Sequence, residues 1–223
     1  MNGPFPAPTA PAPVTPPPAA WLRDLASREL RRHEVLYRVH DPAETVYRVE
    51  EGLLALAYDA PAGRQRILAL VGPGDWLGAL APNDRVLRER AVALSDHVRV
   101  RVAPRDAGSE ALERTLFEAT GARLARWRDA LEEADLPVRA RLARVLLRLG
   151  ARFGQDGEDG LVRLTLPLTH ETLAGLLGAA RETTTSLLSE LRRDGAVEGT
   201  RGRYRLRTGR LARIASIVGH DPS

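Results

Sequence analysis

The strongest constraint on the fold of this chain is a pattern of two short helices separated by a glycine. A helix-turn-helix needs a small residue where the second helix crosses the first, and a glycine in the turn between them. Ala174 and Gly178 stand at these two places. Buried aliphatic side chains must recur at helical intervals, and the segment supplies Leu173, Leu176, Leu177, Leu187, Leu188 and Leu191. We therefore predict helices over residues 169–177 and 180–193.

The second predicted helix carries polar residues at the start of its outer face, namely Arg181, Glu182, Thr185 and Ser186. In a helix-turn-helix, this end of the second helix reaches base edges in the major groove. Arginine can pair with O6 and N7 of guanine, and glutamate can accept from N4 of cytosine. The segment thus predicts sequence-specific binding of double-stranded DNA. An ordinary helical hairpin with a polar face is the alternative.

The charge distribution favours the same end of the chain. All 33 basic residues are arginine, against 29 acidic residues. Residues 137–223 hold 15 arginines and 9 acidic residues (15 − 9 = +6), whereas residues 1–136 hold 18 and 20 (18 − 20 = −2). A basic C-terminal part is typical of proteins that meet a polyanion. A merely solvated basic surface is the alternative interpretation.

The part of the chain before residue 108 has a different period. Short strand-like runs separated by turn residues occupy residues 35–39, 45–49, 53–58, 66–71, 91–94 and 98–102. Many short strands at this spacing indicate a sandwich or a jelly-roll barrel. An amphipathic pattern over residues 21–30 predicts one short helix leading into the barrel.

Strong helix formers follow without a break over residues 110–134, and Leu136-Pro137 ends the run. This helix has more apolar surface than one side of a small barrel needs, so we expect it to pair with its copy in a homodimer. The residues assigned to that seam are Leu116, Leu124, Trp127 and Leu131. A helix packed only on the barrel is the alternative. Beyond it we predict an amphipathic helix over residues 138–153, a strand over 161–166, a hairpin over 196–207 and a helix over 211–218.

The predicted fold class is therefore α+β, with an N-terminal jelly-roll β-barrel, a long dimerisation helix and a C-terminal winged helix-turn-helix. The expected divisions are a disordered Pro/Ala-rich tail over residues 1–20, the barrel over 21–108, the dimerisation helix and hinge over 109–136, and the DNA-binding domain over 137–223.

Several function classes are excluded or weakened by composition. Because the chain has no cysteine, disulfides, thiolate zinc sites and thiol nucleophiles are excluded. Its five histidines lack the spacing of a metal site, and no catalytic motif stands in a supporting context, so we expect no enzyme, no metal and no cofactor. A cupin-like metal-dependent enzyme with an accessory basic domain is the rival, although His33, His40 and His97 are poor ligands for it. Neither a membrane span nor a signal peptide is indicated, so we expect a cytoplasmic protein without a membrane partner.

Two segments resemble a known family. Residues 168–197 (LTHETLAGLLGAARETTTSLLSELRRDGAV) resemble the recognition region of the CRP/FNR transcription regulators, and VRARLARVLLRLG resembles the helix that opens their DNA-binding domain. YRVEEGLLAL, GPGDWLGAL and the 110–134 helix fall in order before them. The resemblance implies a homodimer on a pseudo-palindromic promoter site, with RNA polymerase as a partner.

The resemblance also implies roles for individual residues. Arg181 and Glu182 match the first two base-reading residues of the family, while Ser186 stands where many members carry a third, an arginine. Thr169 matches a threonine that contacts the DNA backbone. Arg201 and Arg203, at the tip of the wing, are expected to contact phosphates. Thr183 and Thr185 are the remaining residues expected to bind DNA.

The barrel resembles a cyclic-nucleotide-binding domain with a degenerate cAMP cassette. The family's cassette uses a Gly-Glu-Leu helix, whose glutamate binds the ribose, and an Arg-Ser pair that binds the phosphate. Here Gly78-Ala79-Leu80 has alanine at the ribose position, and Leu87-Arg88 stands where the pair is expected. We therefore expect DNA binding that does not require cAMP. Two alternatives stay open for the barrel: a scaffold filled by its own side chains, or a site for a different ligand.

Overall fold

A computed structural model describes residues 19–59, 65–81, 83–157, 159–200 and 202–216. It confirms the predicted α+β class, with antiparallel sheets first, then a long helix, then a helix-turn-helix. The chain divides into two compact units between Trp127 and Arg128. Among the described residues, no helix has the length and apolar character needed to cross a membrane.

The first unit is a β-sandwich of the jelly-roll kind preceded by one short helix. Its strands pair antiparallel in two four-stranded sheets, ordered β1-β8-β3-β6 and β2-β7-β4-β5. Apolar side chains from both sheets form one continuous core. The elements are α1 (Ala19–Asp24), β1 (Ala26–Arg31), β2 (Val35–Tyr37), β3 (Thr45–Glu51), β4 (Leu54–Asp59), β5 (Gln65–Val71), β6 (Trp76–Gly78), β7 (Arg90–Ala93) and β8 (His97–Pro104).

The helix predicted over residues 21–30 is wrong in its second half. α1 ends at Asp24, and β1 pairs with β8 along its whole length. Its burial pattern explains the error, because only Leu30 of β1 is buried and the apolar spacing around it also fits a helix. The backbone hydrogen bonds offered by β8 decided the conformation, since propensity alone is a weak influence. Strand β6 was not predicted, because three residues are too few to show alternation.

The long helix α2 spans Glu110–Glu132 without interruption. Glu110 and Glu113 lie in its first turn, where negative charge interacts favourably with the helix dipole. Leu112, Leu116 and Ala119 are buried in the barrel core. The large apolar residues that stay exposed on the helix are Phe117, Leu124, Trp127 and Leu131. α2 therefore has a buried apolar face and an exposed one.

The second unit is a winged helix-turn-helix. Its four strands form one antiparallel sheet in the order β11-β12-β10-β9, and its core includes Leu142, Leu146, Leu188 and Tyr204. The elements are α3 (Val138–Phe153), β9 (Gln155–Asp156), β10 (Val162–Thr165), α4 (His170–Leu177), α5 (Arg181–Arg193), β11 (Val197–Thr200), β12 (Arg203–Leu206) and α6 (Thr208–Ala215). α3 has the bounds that the sequence predicted. Residues 217 and 218 of the last predicted helix lie outside the described residues.

The connection between α2 and α3 is held by a buried ion pair within the second unit. Glu133, directly after α2, is buried, and its carboxylate accepts a hydrogen bond from Arg148 of α3. Pro137 is the N-cap residue of α3. The break between the helices is thus set by a proline, while a charged contact fixes the residue that follows α2.

Candidate functional site

The turn of the helix-turn-helix is built by residues with defined backbone roles. Thr169 caps α4, because its Oγ1 accepts a hydrogen bond from the backbone N–H of Thr172 at 3.0 Å. Gly178 ends α4 in the left-handed region, with φ of 63°, where glycine is favoured. Ala180 then begins α5 from an extended conformation and supplies no side-chain cap. Local residue types therefore account for both ends of α4.

The outer face of α5 presents most of the residues assigned to DNA reading. Arg181, Glu182, Thr183 and Ser186 are exposed, whereas Thr184 and Leu188 of the same helix are buried. Within the described part of the chain, the side chains of Arg181 and Glu182 have no hydrogen-bond or ion-pair partner. A guanidinium and a carboxylate are thus available together at the start of α5.

Thr185 differs from its neighbours on α5, because it is half-buried beneath a histidine that the sequence reasoning did not select. His170, the first residue of α4, places its Nδ1 atom 2.9 Å from Oγ1 of Thr185. Burial lowers the pKa of His170, and the charges of Arg192 and Arg181 lower it further. The imidazole is therefore held toward its neutral form. No local sequence signal identifies this contact, since it joins two helices.

The wing is the hairpin of β11 and β12 together with Arg207, which directly follows β12. Among the described residues, Arg203 of the wing is exposed and has no ion-pair partner. By contrast, Arg205 pairs with Asp159 and with Glu198, and Arg207 lies 3.6 Å from Glu198. Arg201 lies outside the described residues. Of the wing arginines that the structure describes, Arg203 has the charge most available to a phosphate.

The wing is also attached to α5. The Nε atom of Arg192 donates to the carbonyl oxygen of Gly199 at 2.9 Å. Gly202, in the wing turn, has a φ of 79°, and a Cβ atom there would lie 2.0 Å from the carbonyl oxygen of Leu166. The wing turn therefore requires glycine at this position.

The residues assigned to a degenerate effector pocket do not form a polar site. Ala79, Leu80 and Leu87 are buried in the barrel core, and Arg88 is exposed. Gly78 adopts a φ of 95°, and a Cβ atom there would lie 2.6 Å from the carbonyl oxygen of Thr45. At the position of the family's polar pair, Leu87 is apolar and Arg88 is exposed, so neither residue brings a polar side chain into the interior.

Glu89, the next residue, is the charged group that faces inward. It is 4% exposed, and its Oε1 atom accepts hydrogen bonds from the Tyr37 hydroxyl at 3.3 Å and from Nη1 of Arg123 at 3.0 Å. Burial and then the Glu89 charge raise the pKa of Tyr37, and they outweigh the lowering by Arg123 and the Gly78 backbone. The alternation Leu87, Glu89, Ala91, Ala93, all buried, was a sequence signal for this orientation.

Arg123 belongs to α2, so the ion pair connects that helix to the barrel. Its side chain is 11% exposed, and its Nε and Nη2 atoms have no hydrogen-bond partner among the described residues. Arg90, which follows Glu89, pairs with Asp59 at 3.0 Å instead. Elsewhere, no group of three or more His, Asp or Glu side chains within the described ranges has the arrangement to hold a metal ion.

Comparisons with known proteins agree with this architecture. The family described as the Crp-like helix-turn-helix domain matches residues 140–214, and the cyclic nucleotide-binding domain matches residues 27–115. The CRP-like cAMP-activated global transcriptional regulator of Mycobacterium tuberculosis is 32% identical over 190 residues, which cover 79% of this chain and 82% of that protein. The transcriptional regulator LdrP of Thermus thermophilus is 31% identical over 173 residues, covering 76% of this chain and 86% of LdrP.

Among solved structures, FixK2 of Bradyrhizobium japonicum is similar with a TM-score of 0.75 and 26% identity, covering 87% of this chain and 99% of FixK2. A CRP-family transcriptional regulator of Thermus thermophilus is similar with a TM-score of 0.73 and 26% identity, covering 86% of this chain and 97% of that chain. The proteins from Mycobacterium tuberculosis and Thermus thermophilus are named as transcriptional regulators, and the rival interpretation as a cupin-like enzyme finds no support among them.

Proposed function

This chain belongs to the CRP/FNR family of transcription regulators, and from this premise we propose that it binds a pseudo-palindromic promoter site as a homodimer, without cAMP. RNA polymerase is the partner that such a promoter-bound regulator would act on. The exposed pair Arg181 and Glu182 at the start of α5 is the observation that carries the DNA-binding part of the proposal. The buried pair Glu89 and Arg123 carries the part that concerns cAMP.

The homodimer is supported by the exposed apolar face of α2. Phe117, Leu124 and Leu131 follow one another at intervals of seven residues and are 81%, 65% and 74% exposed. Trp127, 39% exposed, adds a second position to the repeat. An apolar heptad stripe of this kind is typical of a coiled-coil seam, and a second copy of the helix would cover it. Leu116 does not belong to this stripe, because it is 4% exposed and packs in the barrel core.

A two-fold dimer would present two α5 helices to DNA. Their spacing should then match half-sites whose centres lie one helical turn apart, roughly 34 Å. Arg181 and Glu182 would read base edges, with Thr183, Thr185 and Ser186 beside them. Thr169 and Arg203, and Arg201 beyond the described residues, would contact phosphates and set the orientation.

Independence from cAMP is supported by the side chains that replace the cassette. Ala79 has no carboxylate for a ribose hydroxyl, and Leu87 has no charge for a phosphate. The Glu89 carboxylate, which accepts a hydrogen bond from Tyr37, is buried in the barrel, and a carboxylate repels a phosphate. Arg123 connects α2 to Glu89, so this guanidinium already has a carboxylate partner. A ligand shifts a conformational equilibrium only by its differential affinity for the two states. With these residues, cAMP would have little difference in affinity between the two states.

The test uses a promoter site found by genome-wide mapping of bound DNA. Titration of the purified protein against that site should give the same affinity with and without millimolar cAMP. A tenfold gain in affinity, about 1.4 kcal/mol of coupling, would contradict cAMP independence. Insertion of about five base pairs between the half-sites, roughly half a helical turn, should abolish tight binding. Unchanged binding to that site would contradict the two-fold arrangement.

A further inference from the structure

The contact between His170 and Thr185 joins the first residue of α4 to the reading face of α5, the exposed face at its start that carries Arg181, Glu182 and Ser186. The direction of its hydrogen bonds follows from the atoms involved. The Oγ1 atom of Thr185 lies 2.9 Å from the carbonyl oxygen of Arg181, and 2.9 Å from Nδ1 of His170. A carbonyl oxygen only accepts hydrogen bonds, so the single hydroxyl proton of Thr185 goes to Arg181. His170 must then be the donor, with its proton on Nδ1.

This pattern changes what Thr185 offers to DNA. Its hydroxyl proton is donated to the carbonyl oxygen of Arg181, and one lone pair of its oxygen accepts the N–H of His170. What remains is one lone pair and a methyl group. Thr185 lies one helical turn after Arg181, and therefore on the same side of α5. A hydroxyl in this state accepts a hydrogen bond but does not donate one.

We propose that His170 is a positioning residue of the DNA interface, which holds the Thr185 hydroxyl as an acceptor on the reading face of α5. The inference rests on the proposed use of α5 to read DNA. Cytosine N4 and adenine N6 donate hydrogen bonds in the major groove, whereas guanine presents only the acceptors O6 and N7. The base facing Thr185 should therefore be one that donates, or a thymine whose methyl group contacts the threonine methyl.

The surroundings of His170 favour this role over a phosphate contact. The charged groups that act on the ring are Arg181 and Arg192, both on α5, and with burial they disfavour a second proton. In the neutral ring with its proton on Nδ1, the Nε2 atom carries a lone pair. A lone pair repels phosphate oxygens, so the neutral side chain acts through Thr185 rather than on the DNA backbone.

The experiment compares His170→Leu, which removes the donor, with His170→Asn, whose side-chain amide places an N–H near the position of Nδ1. Affinities are measured on the mapped promoter site, on versions with each base at the position contacted by Thr185, and on random DNA. His170→Leu should bind the specific site about three- to tenfold more weakly, the range expected for one neutral hydrogen bond. Binding to random DNA should not change, and His170→Asn should restore most of the loss.

A double-mutant cycle with Thr185→Val separates positioning from general stabilisation. If His170 acts through the Thr185 hydroxyl, His170→Leu should cost nothing further in the Thr185→Val background. His97→Leu, at an exposed histidine of the first unit, is the matched control and should bind as the wild type does. Nitrogen NMR of the wild-type imidazole should show a neutral ring protonated on Nδ1, a readout that requires no variant to fold.

Four results would overturn the inference. Equal losses on specific and random DNA would assign His170 to a phosphate contact. A proton on Nε2 in place of Nδ1 would remove the hydrogen-bond pattern on which the role depends. If Arg181→Ala weakens specific binding and His170→Leu does not, the positioning role of His170 is wrong, while the assignment of α5 to DNA reading is retained. If neither change has an effect, the assignment of α5 to DNA reading fails, and this inference with it.

Discussion

Oε1 of Glu89 lies 3.0 Å from Nη1 of Arg123, and both side chains are largely withdrawn from solvent. The pair connects the residue before β7 to the middle of α2, at the point where the helix leaves its buried contacts with the barrel. Two charges taken out of water are stable only when each compensates the other. The position of α2 on the barrel therefore depends on a charged contact between these two side chains.

Removal of one partner should be costly. Glu89→Ala leaves the guanidinium of Arg123 buried without its carboxylate, so we expect a loss of about 3 kcal/mol or more in the free energy of unfolding. The double change Glu89→Leu with Arg123→Met should lower the free energy of unfolding by less than the sum of the losses for Glu89→Leu and Arg123→Met made singly. Urea unfolding measures both. Arg114→Met, which breaks an exposed pair with Glu110, is the control and should cost less than about 1 kcal/mol. Additive losses at the buried pair would contradict its coupling.

Arg181→Ala should separate specific from random DNA. If the guanidinium makes a bidentate contact with guanine, the change costs roughly 1–3 kcal/mol on the promoter site and little on random DNA. Fluorescence titration on both DNAs at one salt concentration measures the difference. Arg205→Ala is a suitable comparison, because Asp159 and Glu198 already engage that side chain. A similar loss on both DNAs would indicate a phosphate contact for Arg181.

Charged substitutions on the exposed face of α2 should produce monomers. Leu124→Glu or Leu131→Glu would place a carboxylate in the apolar stripe, so we expect dissociation and loss of specific DNA binding, although neither residue is assigned to DNA contact. Sedimentation at micromolar concentration measures the association state. Glu132→Ala, exposed on α2 outside the stripe, is the control. A wild-type protein that sediments as a monomer would contradict the homodimer.

The lowered pKa of His170 should appear as a pH dependence of stability. The unfolded chain, where histidine titrates near its ordinary pKa of 6.5, binds the proton more readily than the folded chain does. The free energy of unfolding is therefore not reduced by His170 above pH 6.5. It falls as the pH drops from 6.5 toward the lower pKa that His170 has in the folded chain. Urea unfolding at pH 7.5 and 5.5 should show a larger drop for the wild type than for His170→Asn. Parallel drops would show that burial, Arg192 and Arg181 do not hold the ring neutral.

Local pattern was enough to predict most elements of the second unit, although the two-residue strand β9 was not predicted. The bounds of α3, the cap of α4 at Thr169 and the glycine after its last residue, Gly178, agree with the structure. Each depends on a feature that acts within a few residues: an amphipathic period, a capping hydroxyl, or a glycine at positive φ. The exposed start of α5 was predicted for the same reason, because helical phase places Arg181 and Glu182 away from the buried leucines.

The remaining features depend on partners that are distant in the sequence. Strand β1 forms because β8, some 70 residues later, pairs with it. Leu116 is buried and Leu124 exposed on the same helix, although both are leucines, because only one of them meets the barrel. The pairing of Glu89 with Arg123, and of His170 with Thr185, likewise joins residues from different elements. Periodicity specifies which residues share a face, whereas burial and pairing are set by what the tertiary structure brings against that face.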